Sequence, residues 1–186
     1  MARWEPDTRE RLRNAALDLY TARGFDETTV TEIAQSVGVT ERTFFRHFAD
    51  KREVLFGGSE TLQREFVAGV ADAPDGTPLE IVMSAVLAAV GYFPEERRAY
   101  SRRRQALLAA HPELMERELI KMATLSAAIA AALRDRGVAE PAASLAASSG
   151  VTVFRMAFEE WVAPDSRRTI VEIERDLFDE LRRLAS

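Results

Sequence analysis

The 186-residue chain contains no cysteine. Disulfides and thiolate metal sites are therefore excluded, and a reducing cytoplasm is the expected location. It holds two histidines, His47 and His111, far apart and without ligand-spaced partners, so neither a metal nor a cofactor is expected. There is no G-x-S-x-G, no H-E-x-x-H and no Walker-type glycine loop. Glu95-Glu96 and Glu159-Glu160 read as solvated helix charges, so no catalytic residue and no enzyme activity is expected. No stretch approaches the ~20 apolar residues of a membrane helix, and the opening MARWEPDTRERL has no apolar signal run. No membrane partner is expected.

Positive charge is scarce too. The 25 basic and 30 acidic residues leave a net charge of −5. Residues 1–55 hold nine Lys or Arg against ten Asp or Glu. That argues against a nucleoid-coating protein, which needs a broad basic surface. The basic footprint is local, centred on Arg42, Arg46, His47, Lys51 and Arg52.

What is present is a dense run of helix punctuation between Thr29 and Leu55. Thr29 with Glu32 has capping-box spacing and opens a helix with Val30, Ile33, Ala34 and Val37 on one face. Gly38 ends it, and Thr40 caps the next helix, with Glu41 at its positive end. Phe44 and Phe48, four apart, are its core residues. Arg42, Thr43 and Arg46 fall on other faces. Asp50 with Glu53 reads as a further capping box that starts a helix at Lys51. Upstream, Asp7 with Glu10 opens a helix carrying Leu12, Ala16 and Leu19, stopped by Gly24, and Phe25 closes over the small core. Two short helices joined by a tight turn make a helix-turn-helix, whose second helix enters the major groove.

Residue type gives the recognition chemistry. Arginine forks match guanine O6 and N7, and Arg42 and Arg46 sit one turn apart. Thr43 can touch a base edge or a thymine methyl. Thr29, Thr31, His47 and Lys51, with the backbone N–H groups at Thr40, are placed to hold phosphates.

The runs A-x-x-L-Y-x-x-x-G-F at Ala16–Phe25, T-x-x-x-I-A-x-x-x-G-V at Thr29–Val39 and T-F-F-R-H-F-x-x-K at Thr43–Lys51 make residues 9–55 resemble the DNA-binding domain of the tetracycline-repressor (TetR) family. The resemblance implies an all-α homodimer, an operator with two-fold symmetry and a C-terminal domain whose ligand controls release from DNA. It implies an N-terminal three-helix domain at residues 1–50 and a helical ligand-binding and dimerisation domain at 51–186. Two positions depart from the family pattern. Phe45 stands where a tyrosine often contacts a phosphate, so its DNA contact is apolar or absent. Arg42 replaces a small residue and suggests an altered base preference.

Beyond Leu55 the periodicity predicts helices over 51–71, broken at Gly57-Gly58, then 79–93, 95–110, 112–136, 142–162 and 166–184, with a loop at 72–78. The 142–162 helix is apolar nearly all round, and 166–184 carries one clean stripe. Ala146, Gly150, Val153, Phe154, Ile170, Ile173, Leu177, Leu181 and Leu184 are therefore expected at a two-fold dimer interface; the alternative is a monomer core. Ligand candidates are Phe66, Val86, Phe93, Tyr100, Arg104, Met115, Leu119, Met122, Phe158 and Trp161. The cluster Arg97, Arg98, Arg102, Arg103 and Arg104 reads either as a solvated face with one member salt-bridged inside or as the source of one inward arginine that binds an anion. The expected function is that of a ligand-responsive repressor on a pseudo-palindromic double-stranded operator, released by an unidentified small molecule. The alternative is a helical ligand-binding or adaptor protein with weak or no DNA binding.

Overall fold

A computed structural model describes residues 7–185, with the side chain of Ala185 excepted. The fold is all-α, and the described residues contain no strand. Among the described residues nine α-helices follow in order: α1 Thr8–Arg23, α2 Val30–Ser36, α3 Glu41–His47, α4 Ser59–Asp72, α5 Pro78–Ala88, α6 Arg98–Ala110, α7 Pro112–Asp135, α8 Ala142–Val162 and α9 Ile170–Ala185.

The local signals explain most boundaries. Thr29 and Glu32 form the full capping box at α2, and Thr40 accepts from the Thr43 N–H at 3.2 Å to open α3. Each such cap contributes about 1 kcal/mol. Gly38 turns the chain between them at φ +74°, a backbone conformation that strains any residue with a Cβ. At seven residues each, α2 and α3 are too short to stand alone. Tertiary burial of Ile33, Ala34, Phe44 and Phe48 holds them.

Two expected boxes take another form. Asp7 accepts from the Arg9 N–H instead, and Glu10 pairs with Arg97 at 3.4 Å. The Asp50 carboxylate takes the Arg52 and Glu53 N–H groups and the Arg52 guanidinium. No α-helix starts at Lys51. A 3-10 turn at Glu53–Phe56 and the pair Gly57-Gly58 precede α4, because Val54, Leu55 and Phe56 all bury here and a straight helix would bury only one face. The predicted 79–93 helix likewise divides, into α5 and a 3-10 turn at Ala89–Tyr92.

The apolar residues gather in two clusters. One joins α1–α3 and the 3-10 turn, and it recruits Leu108 of α6 and Leu114 of α7. The small three-helix unit therefore completes its core with residues far along the chain, as its limited apolar area requires. The larger cluster lies among α4, α5, α7, α8 and α9.

Here the expected dimer residues are reassigned. Ala146, Gly150, Val153, Phe154, Ile170 and Ile173 are buried inside the chain itself, and Leu177 and Leu181 are half-buried against the same core. Leu184 alone of the nine is exposed. The reason is that α8 packs on α5, α6, α7 and α9 at once, so its broad apolar circumference is covered by neighbours of its own chain. At Gly150 a Cβ would lie 2.1 Å from Val82 Cγ1, which marks a close approach between α8 and α5.

Candidate nucleic-acid interface and ligand cavity

The α3 helix presents Arg42, Phe45 and Arg46 to solvent while Phe44 and Phe48 anchor it. Phe45 is 52% exposed, large for a phenyl ring, and leans edge-on against Phe44. Among the described residues, neither Arg42 nor Arg46 has an ion pair or hydrogen bond, so both guanidinium forks are available. Thr43 is half-buried, with its hydroxyl 3.1 Å from that of Thr40. These side chains form one exposed face of α3.

The expected phosphate contacts divide. Thr29 is exposed but donates its hydroxyl to Glu32, whose carboxyl is held below its ordinary range chiefly by the Thr29 backbone N–H. Thr31 donates to Glu41, which ties α2 to α3 and turns that acid onto a protein partner. His47 is half-buried, and its Nε2 is enclosed without a hydrogen-bond partner among the described residues. It borders a polar cleft of about 190 Å³ shared with Arg9, Glu53 and Lys121. Lys51 departs furthest from its expected role. Its ammonium donates to the carbonyls of Phe25, Asp26 and Thr28 at 2.9, 3.1 and 3.2 Å. All three protons are spent, so Lys51 closes the α1–α2 loop and has none left for a phosphate.

A largely apolar cavity of about 160 Å³ opens between the HTH unit and the C-terminal helices. Seven of the ten expected ligand residues line it: Phe93, Tyr100, Arg104, Met115, Leu119, Met122 and Phe158. Phe66, Val86 and Trp161 do not, being almost fully buried in the larger core. Phe154, expected at the dimer interface, is a wall of the cavity. Sequence reading also missed Leu55, Phe56, Leu62, Tyr92 and Arg13. A signal for Arg13 existed: it stands four before Leu17 and seven before Tyr20, at the head of a row whose other members are buried.

Among Arg97 and the arginines of α6, Arg104 is the member salt-bridged inside, and the others are tied to protein partners instead of forming a purely solvated face. Arg104 donates to the Leu55 carbonyl at 2.8 Å, pairs with Glu118 at 2.7 Å and lies over the Phe56 ring. Arg103 pairs with Asp18 of α1, and Arg97 with Glu10. At the other side, Arg98 donates to the carbonyls of Ser166 and Arg168, and Arg102 to those of Val162 and Ala163. Helix α6 is thus stapled to the HTH unit on one flank and to the α8–α9 connection on the other. His111 rests against the Phe25 ring, with Asp26 and Glu113 close by. Among the described residues no single helix is long and apolar enough to cross a membrane.

Residues 12–56 match the tetR family of bacterial regulatory proteins, and residues 76–185 match the MftR C-terminal domain. The HTH-type transcriptional regulator TcmR of Streptomyces glaucescens is 41% identical over 85 residues, 45% of this chain and 38% of that protein. The matches span 38%, 54% and 46% of the length of that and two further regulators, so about half. In fold, the chain is similar to a TetR-family transcriptional regulator from Syntrophomonas wolfei, with a TM-score of 0.66, 17% identity and coverage of 95% and 94% of the two chains. It is also similar to FadR of Thermus thermophilus, a TetR-family transcriptional repressor in complex with lauroyl-CoA, with a TM-score of 0.50, 25% identity and coverage of 94% and 93%. With these two matches lying in sequence along one chain, the protein belongs to the tetR family of bacterial regulatory proteins.

Proposed function

We propose that the protein is a ligand-responsive, sequence-specific DNA-binding regulator, acting as a repressor in the cytoplasm and without enzyme activity. The observation that carries this is the exposed face of α3, with Arg42 and Arg46, unpaired among the described residues, near Thr43 on a helix anchored by Phe44 and Phe48. In this reading residues 1–50 read DNA, and residues 51–186 bind ligand and dimerise. Thr43, Arg42 and Arg46 face base edges, Phe45 meets a thymine methyl or the sugar edge, and the N–H groups at Thr40 meet a phosphate. Thr29 and Thr31 act at the rim. His47 and Lys51 hold the shape of the unit and make no phosphate contact through their enclosed atoms.

The 160 Å³ cavity is the effector site. Support comes from its position against α1 and α6 and from the lauroyl-CoA held by the T. thermophilus relative. A ligand that fits one arrangement of α1 on α6 better than another shifts the population of DNA-competent dimers.

The homodimer forms through the outer face of α7 and α8. Ile120, Leu145 and Met156 stay exposed there, and Ser126 of α7 meets Ser148 of α8 at 3.2 Å. Large apolar side chains left exposed on neighbouring helices suit an association surface. The test is selection from random duplex DNA with the purified protein. A pseudo-palindrome with half-sites about one helical turn apart is expected, and the Thr43→Ala, Arg46→Ala protein should enrich nothing. Equal enrichment by that variant would remove α3 as the reading helix.

A further inference from the structure

Arg13, on the helix that opens the HTH unit, reaches the wall of the ligand cavity. Five cations border that cavity, and four are already matched. Arg97 pairs with Glu10, Arg104 with Glu118, Lys121 with Glu53 and Arg155 with Glu159. Among the described residues Arg13 has no ion pair and no hydrogen bond, and its Nε is enclosed. Its guanidinium lies 5.7 Å from the centre of the Tyr100 ring. The Tyr100 hydroxyl is likewise enclosed and without a partner. The two acids of the wall, Glu118 and Glu159, are the ones taken by Arg104 and Arg155. Arg13 is therefore the one cation of the wall without an ion pair among the described residues, beside one unused hydroxyl donor; Lys121 shares Glu53 with Arg117.

Buried polar groups ordinarily have partners, and the enclosed Arg13 Nε and Tyr100 hydroxyl lack them among the described residues. The terminal nitrogens of Arg13 are not enclosed and can donate to a negatively charged ligand oxygen, which the phenol meets once its ring turns toward the cavity. The rest of the wall is apolar, including Phe56, Met115 and Phe158. The volume, about 160 Å³, is close to the ~150 Å³ of an apolar cavity that accepts benzene.

Resting on the effector reading above, we propose that the ligand is a small apolar monocarboxylate of one ring or a short chain, with its carboxylate held by Arg13 and Tyr100. Because Arg13 belongs to α1, the ligand touches the DNA-reading unit directly. Its charge sets how α1 sits on α6, alongside the Arg97–Glu10 and Arg103–Asp18 pairs.

The test is calorimetric titration of the full chain with benzoate and hexanoate, and with benzamide as the neutral isostere of benzoate. At least one acid should bind at millimolar concentration or below, with benzamide at least about tenfold weaker than benzoate. Arg13→Gln should bring the acids down to the neutral level, Arg13→Lys should keep the preference for charge, and Tyr100→Phe should lose part of the affinity. Thermal unfolding of each variant checks that it is folded. Equal binding of benzoate and benzamide, an undiminished preference in Arg13→Gln, or no binding of any probe would overturn the assignment. Binding of the selected duplex is measured separately, with and without probe. Release by the neutral probe alone overturns the anion class and leaves a ligand-responsive regulator. Absence of duplex binding in folded protein overturns the regulator and leaves the charge preference to be read from calorimetry.

Discussion

Lys51 holds its ammonium 4.5 Å from the centre of the Phe25 ring and donates at 2.9 Å to the carbonyl of that same residue. The Tyr20 hydroxyl returns the tie, donating to the Lys51 carbonyl at 2.6 Å. Burial raises the Tyr20 pKa first, the nearby Asp50 carboxylate second, so this donor stays protonated. Together these contacts lock the loop between α1 and α2 onto the segment that follows α3.

Lys51→Met is therefore expected to act on stability. It removes three charge-assisted hydrogen bonds and leaves the Asp26 and Thr28 carbonyls without that donor, while the Phe25 carbonyl keeps the Thr28 N–H, a loss of about 2 kcal/mol. Thermal unfolding should shift down by about 4–8 °C. The slope of DNA affinity against salt should stay as in the parent protein, since no phosphate contact is lost. A shallower slope with unchanged stability would return Lys51 to the phosphates.

Arg42→Ala and Arg46→Ala should leave the unfolding temperature unchanged, because both side chains are exposed and, among the described residues, unpaired. Each should relax the preference for one base pair per half-site, by about 1–3 kcal/mol for a bidentate contact. Affinity for a panel of single-base variants of the selected duplex measures this. A uniform loss across the panel would make the residue a phosphate contact instead.

Gly150→Ala should destabilise the fold by about 1–3 kcal/mol, since the added methyl meets Val82 Cγ1 at 2.1 Å and α5 must yield. Leu145→Asp with Met156→Asp should act differently, keeping the helical circular dichroism signal and giving a monomer in sedimentation. A persistent dimer in the double variant would move the interface away from α7 and α8.

Glu174 is 1% exposed on α9, and its Oε2 has no hydrogen-bond partner among the described residues. Burial pushes its pKa up to about 8, from an ordinary 4.5. The folded state keeps a proton that the unfolded chain releases above about pH 4.5. Stability is then fullest below that pH and declines as pH rises through about 8. Unfolding temperatures taken from pH 5 to pH 9 should fall, and Glu174→Gln should flatten the profile. An identical slope in the variant would place the titrating group elsewhere.

Local chemistry made the first fifty residues legible. The Thr29–Glu32 box, the Gly38 turn and the Thr40 cap are interactions within a few residues, so the sequence spells them out. Seven cavity residues could be named because apolar and aromatic side chains at helical spacing must face inward. The division between core, cavity and surface on α8 could not, because it depends on which neighbours cover that helix. Its apolar circumference suggested a partner chain, and α5, α6, α7 and α9 supply the cover. Lys51 and the α6 arginines share one obscurity. Most of their partners lie far away in sequence, as with Arg103 and Asp18, and charge alone does not say which carboxylate or carbonyl will be near. Lys51 looked like a phosphate contact for the same reason: a lysine after a recognition helix carries the right charge for either role.

The measurement that bears most directly on DNA reading by α3 is the affinity of the purified protein for its selected duplex between 50 and 200 mM salt. A dimer that brings Arg42 and Arg46 of both half-sites against DNA should lose about 10²-fold over that range. Affinity that stays flat with salt, in protein shown to be folded, would contradict DNA reading by α3 and favour a helical ligand-binding protein without an operator.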